Sequence, residues 1–204
     1  MIGNDVIDLD LAATESNWKR RGWLEKIFLP SERQLINNAT DQNVMVWILW
    51  SMKEAAYKIH HRKTKTRGFI PQQLICSILH AEGKIIYGKV GLGCAVFYTK
   101  TNVGKKFVHT IATSDRKIFR NLSICFSGNY IKNYNTVNIF KDDSGIPFLF
   151  NKASGKREIL SISHHGKYCS YLSTTTTLYL LFFYLYLANP PNQKTKWKMM
   201  TFSD

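Results

Sequence analysis

A carboxylate and an ammonium group stand four residues apart in the segment Trp50-Ser-Met-Lys-Glu-Ala-Ala-Tyr-Lys58. If the segment is helical, Glu54 and Lys58 lie on one face with their Cβ atoms about 5–6 Å apart, so both charges could act on one substrate. A phosphate group bound together with a metal ion is the substrate chemistry that suits such a pair.

The same spacing also occurs in ordinary surface ion pairs, which contribute only about 0.2–0.5 kcal/mol each. The position of the pair on the helix favours a functional role. Small and apolar residues recur at helical spacing and predict a stripe that faces the core: Val44, Ile48, Ser51, Ala55 and Ile59. Glu54 and Lys58 fall on one border of this stripe, near Trp47 and Trp50, where a carboxylate can be partly desolvated. Lys53 points away from the stripe, and we assign it neither a metal-binding nor a phosphate-binding role.

A second source of carboxylates lies upstream, in the segment Gly3-Asn-Asp-Val-Ile-Asp8. If this segment is a strand, its side chains alternate, so Asp5 and Asp8 face opposite ways and do not share a metal. One of them with Glu54 is the better pair, because two carboxylates completed by water and phosphate oxygens form the usual sparse Mg²⁺ site. The alternative is an aspartate that caps a loop at the end of the strand.

Two further groups of residues carry weaker signals. His164 and His165 are adjacent, so in extended structure they face opposite ways and do not form a two-ligand metal site. One of them could donate a hydrogen bond to a substrate phosphate, and a structural or solvent-facing histidine is the alternative. We interpret the basic run from His60 to Arg67 as a solvated helix end.

Composition limits the class of protein and of partner. The 204 residues are 45% hydrophobic, enough to bury a core, and 28 Lys and Arg against 14 Asp and Glu give a net charge of +14. This charge favours anionic partners: nucleic acid, acidic proteins, anionic membranes or phosphorylated cofactors. Four widely separated cysteines predict neither a zinc site nor a disulfide framework and fit a cytoplasmic location. We recognise no secretory signal, and the apolar run 178–187 is shorter than the about 20 residues that a membrane-spanning helix needs.

The elements expected around these residues are of mixed type and predict an α+β fold. In the first part we expect a strand at 2–11, one or two helices at 17–38 broken by Pro30, a helix at 41–61, and an antiparallel meander at 84–90, 93–100 and 107–113. In the second part we expect a helix at 115–123, strands at 136–141 and 146–150, and two β-rich runs at 158–163 and 167–172 around a tight connection. Residues 1–114 and 115–172 are therefore predicted to form two halves, and 173–204 a compositionally biased tail that we expect to be dispensable.

Three segments together resemble the signatures of the 4′-phosphopantetheinyl transferase superfamily, over roughly residues 1–172. Gly3-Asn-Asp5 is similar to its Gly-x-Asp strand, and Trp50 to Lys58 to its aromatic-x-x-Lys-Glu-x-x-x-Lys helix. Ser163-His164 resembles the Ser-His loop of its two-halved members, and Gly145-Ile-Pro147 resembles their Gly-Lys-Pro element. The resemblance implies two pseudo-symmetric α+β halves, each a helix packed on a small antiparallel sheet, with the active site between them.

The resemblance also implies a reaction: transfer of the 4′-phosphopantetheine arm from coenzyme A to a serine of an apo acyl or peptidyl carrier protein, with release of adenosine 3′,5′-bisphosphate. Asp5 and Glu54 would bind Mg²⁺, and Glu54 would also accept the serine proton. Lys58 would stabilise the departing phosphate, and Ser163 and His164 would bind coenzyme A with it. Acidic carrier proteins suit the positive charge of the chain, and a monomer is implied by two halves in one chain. Neither nucleic acid nor a membrane is an expected partner.

The sequence departs from the pattern of that superfamily in two ways. The Gly-x-Pro and Ser-His elements follow the Gly-x-Asp and Lys-Glu motifs, whereas in two-halved members they precede them, as though the halves were exchanged. Ile146 replaces the lysine of Gly-Lys-Pro, and Ile7 stands where two-halved members carry a further acid. Two rival hypotheses stay open: a basic nucleic-acid-binding domain, and a degenerate member of the superfamily that binds a partner without catalysis.

Overall fold

The computed structural model describes residues 1–68, 70–127, 139–151 and 154–174, and the backbone of 197–200. Its helices are α1 (Leu9–Glu15), α2 (Trp23–Ile27), α3 (Pro30–Asn37) and α4 (Gln42–Thr64). The first five strands are β1 (Ile2–Asp8), β2 (Ile75–Glu82), β3 (Ile85–Leu92), β4 (Ala95–Val103) and β5 (Phe107–Thr113). The others are β6 (Ser123–Ser127), β7 (Ile139–Lys141), β8 (Pro147–Asn151), β9 (Lys156–His165), β10 (Tyr168–Ser173) and β11 (Trp197–Met200). The predicted α+β class is confirmed.

Two antiparallel sheets repeat one strand order. The first runs β1-β5-β4-β3-β2, and the second runs β11-β6-β10-β9-β8-β7. Apart from the extra edge strand β11, the second order reproduces the first, with β6 in the place of β1 and β10 in the place of β5. The two pseudo-symmetric halves are therefore confirmed. The helices differ, since all four α-helices within the described ranges belong to the first half.

Helix α4 is the element that carries the predicted chemistry. It begins after Asp41, whose side chain accepts a 3.1 Å hydrogen bond from the backbone N–H of Val44, an N-cap that satisfies a free helix-end donor. The predicted stripe faces the core, where Ile48, Ser51, Ala55 and Ile59 are buried against β1 and β5. The helix approaches β1 closely because Gly3 has no side chain. A Cβ at this position would lie 2.2 Å from the carbonyl oxygen of Ala55.

Strand β1 lies at the edge of the first sheet, and the second half covers that edge with side chains. Alternate backbone N–H groups of β1 point away from β5 and donate to β9: Asn4 to Ser161 Oγ at 3.1 Å, Val6 to Ser163 Oγ at 3.0 Å, and Asp8 to His165 Nδ1 at 2.9 Å. An edge strand exposes unpaired donors, so these three bonds both satisfy β1 and join the two halves.

Two expected elements differ in the structure, one in its end and one in its helix type. Strand β1 ends at Asp8 instead of reaching residue 11, because the Asp8 side chain accepts a 3.1 Å hydrogen bond from the backbone N–H of Asp10 and begins α1 there. The helix expected at 115–123 is a six-residue 3₁₀ helix, Arg116–Asn121. This segment offers Ile118 and Phe119 to the core before β6 begins, too few apolar residues for a stable amphipathic helix.

The C-terminal segment is described only in part. The backbone of Trp197–Met200 forms β11, which pairs with β6, so the expected tail contributes a strand to the second sheet. Residues 136–138 of an expected strand and the apolar run 178–187 lie outside the described residues, and the dispensability of the segment stays a prediction. Within the described ranges, no helix combines the length and hydropathy that a membrane crossing requires.

Candidate active site

The structure brings Asp5 and Lys58 together at the contact between β1 and α4. Gly3 and Asp5 are two residues apart and share one face of β1, so the close approach at Gly3 places the Asp5 carboxylate beside the helix. Lys58 Nζ lies 3.5 Å from Asp5 Oδ1 and donates to the backbone carbonyls of Asn4 at 2.6 Å and Ile162 at 3.3 Å. Lys58 therefore links β1, α4 and the second half.

Ser163 orients Asp5 from the second half. Its hydroxyl donates to Asp5 Oδ1 at 3.0 Å and accepts the backbone N–H of Val6 at 3.0 Å, and its side chain is buried. Burial raises the pKa of Asp5, while the charge of Lys58 and the hydrogen bond from Ser163 oppose that rise. The direct contact of Ser163 with coenzyme A stays a prediction, because both observed hydrogen bonds of its hydroxyl are made within the protein.

Glu54 is a carboxylate with a strongly raised pKa. Burial and the negative charge of Asp5 raise the pKa of Glu54 to about 7 from an ordinary value of 4.5, and the charge of Lys58 opposes the shift. The two carboxylates are thus close enough to repel each other. A group with such a pKa at neutral pH can accept a proton or bind a cation.

The unpaired oxygens of the two carboxylates suit a hard divalent cation. Asp5 Oδ2 is buried without a hydrogen-bond partner, and among the described residues Glu54 also accepts no hydrogen bond. Mg²⁺ prefers oxygen ligands and commonly uses one or two carboxylates, with water and phosphate oxygens completing the shell. In the part of the chain that the structure describes, no three His, Cys, Asp or Glu residues cluster as a metal site. These residues therefore fit a two-carboxylate site and not a closed protein cage.

A cleft of about 250 Å³ separates α4 from the second half. The helix lines one wall with Glu54, Tyr57, Lys58, His61 and Arg62, and the second half lines the other with Gly145, Ile146, Pro147, Ser161 and Ile162. The Gly-x-Pro segment that the sequence singled out thus faces the Glu54 helix. A larger cavity of about 500 Å³, between α1, the 16–19 segment and the start of α4, contains none of the predicted site residues.

The two histidines and Asp8 separate into different roles. His165 accepts the backbone N–H of Asp8, and its Nε2 lies 3.3 Å from Glu15 Oε2, so it joins β9 to the first half. Asp8 caps α1 and also accepts the backbone N–H of Lys167 at 3.3 Å. Asp8 therefore does not share the site with Asp5, as the strand alternation predicted. His164 is exposed on β9, and its contact with coenzyme A stays a prediction.

Lys53 points away from the stripe but is fully buried on a second face of α4. Its ammonium lies 2.7 Å from Glu32 Oε1 and also donates to the carbonyls of Pro71, at 2.8 Å, and Leu74. Glu32 in turn accepts the backbone N–H groups of Leu29 and Cys76, both at 2.8 Å. This network joins α3, α4 and β2, which gives Lys53 a structural role. No local sequence pattern identified Glu32.

The basic run at the end of α4 is exposed from Lys63 to Arg67, as expected of a solvated helix end, but three of its side chains also contact the second half. Arg62 donates to the carbonyl oxygens of Pro147 and Leu160, Lys65 lies 2.5 Å from Asp142 Oδ2, and Arg67 donates to the carbonyl of Ser144 at 3.0 Å. These contacts hold the 142–147 loop of the second half against α4. The four-residue spacing of Glu54, Lys58 and Arg62 was the signal that could have identified Arg62 as a cleft residue.

The two residues that depart from the superfamily pattern, Ile7 and Ile146, are both buried. Ile7 packs in the hydrophobic core of the first half, and Ile146 is buried with its backbone N–H donated to Asp142 Oδ1 at 2.9 Å. Neither side chain can bind a metal or an anion.

The chain has similarity to a protein family and to solved structures. No curated protein matches the sequence at a significant level. One solved structure that is similar to this chain is the holo-[acyl-carrier-protein] synthase of Thermotoga maritima. The two share 15% sequence identity, and the superposition has a TM-score of 0.40 and covers 72% of this chain and 80% of that chain. The family model of the 4′-phosphopantetheinyl transferase superfamily matches residues 1–112, the part that contains Asp5, Glu54 and Lys58. This chain belongs to the 4′-phosphopantetheinyl transferase superfamily.

Proposed function

We propose that this chain transfers the 4′-phosphopantetheine arm of coenzyme A to a serine hydroxyl of an apo acyl or peptidyl carrier protein and releases adenosine 3′,5′-bisphosphate. The observation that carries the proposal is the meeting of Asp5, Glu54 and Lys58 beside a cleft whose other wall comes from the second half. Family membership over residues 1–112 supports this class of reaction.

Asp5 and Glu54 are the residues that would hold Mg²⁺. Their unpaired oxygens and mutual repulsion are relieved by a divalent cation, which explains why two acids are tolerated at a poorly solvated position. When bound, Mg²⁺ would neutralise the negative charge on the phosphoryl oxygens. Ser163 is a positioning residue here, since it fixes the Asp5 carboxylate from the second half.

Glu54 and Lys58 have complementary roles in the transfer. The serine oxygen attacks the phosphorus that bears the pantetheine arm, and the bond from that phosphorus to the bridging pyrophosphate oxygen breaks. Glu54 accepts the serine proton, directly or through a water, because it is the carboxylate that lines the cleft beside Lys58. Lys58 donates to the departing phosphate and stabilises its charge.

The partner in the proposal is an acidic carrier protein. The net charge of +14 favours its approach through long-range attraction and makes association dependent on salt. His164, exposed on β9, contacts the pyrophosphate or adenosine-phosphate region of coenzyme A. Both walls of the cleft come from one chain, so a monomer is sufficient to form the site. A cytoplasmic location suits both coenzyme A and the carrier protein.

The proposal is tested by its two products and its metal requirement. We expect adenosine 3′,5′-bisphosphate to appear in equal amount to modified carrier when the protein, coenzyme A, Mg²⁺ and an apo carrier are mixed. Removal of divalent cations with EDTA stops both products, and added Mg²⁺ restores them. Binding of coenzyme A without either product, across acyl and peptidyl carriers, would instead identify a degenerate binding protein.

A further inference from the structure

We propose that Arg62 is a further binding residue, which holds a phosphate group of coenzyme A in the cleft. This inference rests on the proposed function and adds a residue to its binding site. Glu54, Lys58 and Arg62 follow one another at four-residue spacing on α4, and all three line the cleft. At 1.5 Å per residue, Arg62 lies about 12 Å from Glu54 and about 6 Å from Lys58 along the helix axis. This separation allows Arg62 and Lys58 to contact different phosphate groups of one coenzyme A molecule.

The charge of Arg62 lacks a carboxylate partner. Its guanidinium donates to the carbonyl oxygen of Pro147 at 3.2 Å from both terminal nitrogens and to that of Leu160 at 2.5 Å. Among the described residues, no carboxylate lies within ion-pair distance of it, and the nearby Asp142 is engaged by Lys65 at 2.5 Å. Arg62 is partly desolvated and shares the charge of Asp142 with Lys65, so an anionic ligand adds a counter-charge that the protein supplies only in part.

Lys53 shows the opposite arrangement on the same helix. It is fully buried, yet Glu32 compensates its charge with two contacts at 2.7 and 2.8 Å, and no ligand is needed. The fully buried cation between α3, α4 and β2 thus has its carboxylate, whereas the half-buried cation in the cleft is contacted only by carbonyl groups. The difference marks the Arg62 end of the cleft as an anion site.

Other groups sense the same positive potential. The pKa of His61, which lines the cleft one residue before Arg62, is lowered by burial and by the positive charges of Arg67 and Lys65; Asp142 opposes the shift, and Arg62 makes a smaller contribution. Ile146, on the facing wall, is apolar and adds no charge. Arg62 consequently supplies from the helix the cation that the 145–147 loop of this chain does not carry. A guanidinium suits this task because its planar donors match phosphate oxygens.

Calorimetric titration with coenzyme A and with 3′-dephospho-coenzyme A tests the inference. Arg62→Gln removes the charge but keeps an N–H donor for the Pro147 carbonyl, and Lys89→Gln removes one exposed charge from β3 as the matched control. We expect Arg62→Gln to weaken coenzyme A binding about 10- to 100-fold and Lys89→Gln to change it less than about twofold. A larger loss for coenzyme A than for the dephospho form assigns Arg62 to the 3′-phosphate, and equal losses assign it to the pyrophosphate. Equal affinities for the two variants would overturn the inference.

Two further measurements separate this inference from the proposed function and from misfolding. If wild type neither binds coenzyme A nor modifies a carrier, the proposed function fails, and titration with inorganic pyrophosphate still tests Arg62 alone. Pyrophosphate binding that is lost in Arg62→Gln supports the anion site, and equal binding contradicts it. A structure of the wild-type protein with coenzyme A needs no variant: we expect a phosphate oxygen about 2.7–2.9 Å from the guanidinium. A guanidinium that contacts only the Pro147 and Leu160 carbonyls in that structure would overturn the inference.

Discussion

The hydroxyl of Ser163 donates a 3.0 Å hydrogen bond to Asp5 Oδ1, although the two residues are 158 positions apart in the chain. The same hydroxyl accepts the backbone N–H of Val6, so the second half fixes both the strand and the carboxylate that it presents. The site of the first half is therefore oriented by the second half, and this dependence can be measured through the ionisation of Asp5.

Ser163→Ala should raise the pKa of Asp5, because it removes a hydrogen bond that favours the charged form. In the proposed reaction the Asp5 carboxylate binds Mg²⁺, so we expect the acid limb of the pH–rate profile to move to higher pH. Ser161→Ala is the matched control, since Ser161 makes the equivalent pair of bonds with Asn4, at 2.7 and 3.1 Å. Both variants should lose about 1–2 kcal/mol of unfolding free energy. An acid limb that moves equally in both would show that Ser163 has no special effect on Asp5.

Glu54→Gln should stabilise the metal-free protein at high pH while it abolishes transfer. The pKa of Glu54 is about 7 in the folded state against an ordinary 4.5, so the folded state binds more protons between these values. The unfolding free energy of the wild type therefore falls as pH rises from about 4.5 through 7, by up to roughly 3 kcal/mol.

Urea unfolding at pH 5 and pH 8 measures this effect. Glu54→Gln should lack most of the decrease in unfolding free energy between these two pH values. Glu82→Gln, which changes an exposed residue, should retain it. Saturating Mg²⁺ should stabilise the wild type at pH 8 and leave Glu54→Gln little changed, because the ionised pair binds the cation. Identical pH dependence in Glu54→Gln and the wild type would contradict the raised pKa.

Lys53→Met should destabilise the fold by about 3–5 kcal/mol, because it leaves the buried Glu32 carboxylate without its cation. Arg33→Met is the comparison, as Arg33 pairs with Glu25 at 3.2 Å at a partly exposed position and should cost no more than about 1 kcal/mol. Chemical denaturation of both variants gives the two values. Similar small losses would mean that the Lys53–Glu32 pair does not hold α3 and α4 together.

Gly3→Ala should displace α4 from β1 and weaken Mg²⁺ binding. The added Cβ would stand 2.2 Å from the Ala55 carbonyl oxygen, next to the turn of α4 that carries Glu54. Gly91→Ala adds the same methyl group to β3, where the nearest atom is 4.0 Å away, and should leave metal binding unchanged. Isothermal titration with Mg²⁺ compares the two, and equal affinities would show that the close approach at Gly3 does not position the carboxylates.

Local patterns in the sequence were sufficient to predict β1, α4 and the β3–β5 meander. Each has a clear period or a clear pair of end signals, as in the stripe of α4 and its Asp41 cap. They were also sufficient to place Glu54 and Lys58 on the border of the stripe. The sequence could not show that Asp5, and not Asp8, meets Glu54, since that depends on which face of β1 packs against the helix.

Residues whose partners are distant in the chain were the ones missed. Glu32 has the sequence appearance of an acid in the first turn of α3, and only its contact with Lys53 of α4 explains its burial. The run from His60 to Arg67 has the composition of a solvated helix end, and the loop that it holds begins at Asp142. The first contact arises from the packing of α3 on α4 within the first half and the second from the packing of the two halves, and no local pattern encodes either.

The intact mass of an apo carrier protein after incubation with this protein, coenzyme A and Mg²⁺ tests the central claim most directly. We expect a mass gain of one phosphopantetheine arm per carrier with the wild type, and no gain with Asp5→Asn or Glu54→Gln at equal folded concentration. A gain that is undiminished in both variants would contradict the assigned site. No gain on any acyl or peptidyl carrier, together with single-stranded nucleic acid binding that weakens steeply with salt, would contradict the transferase itself.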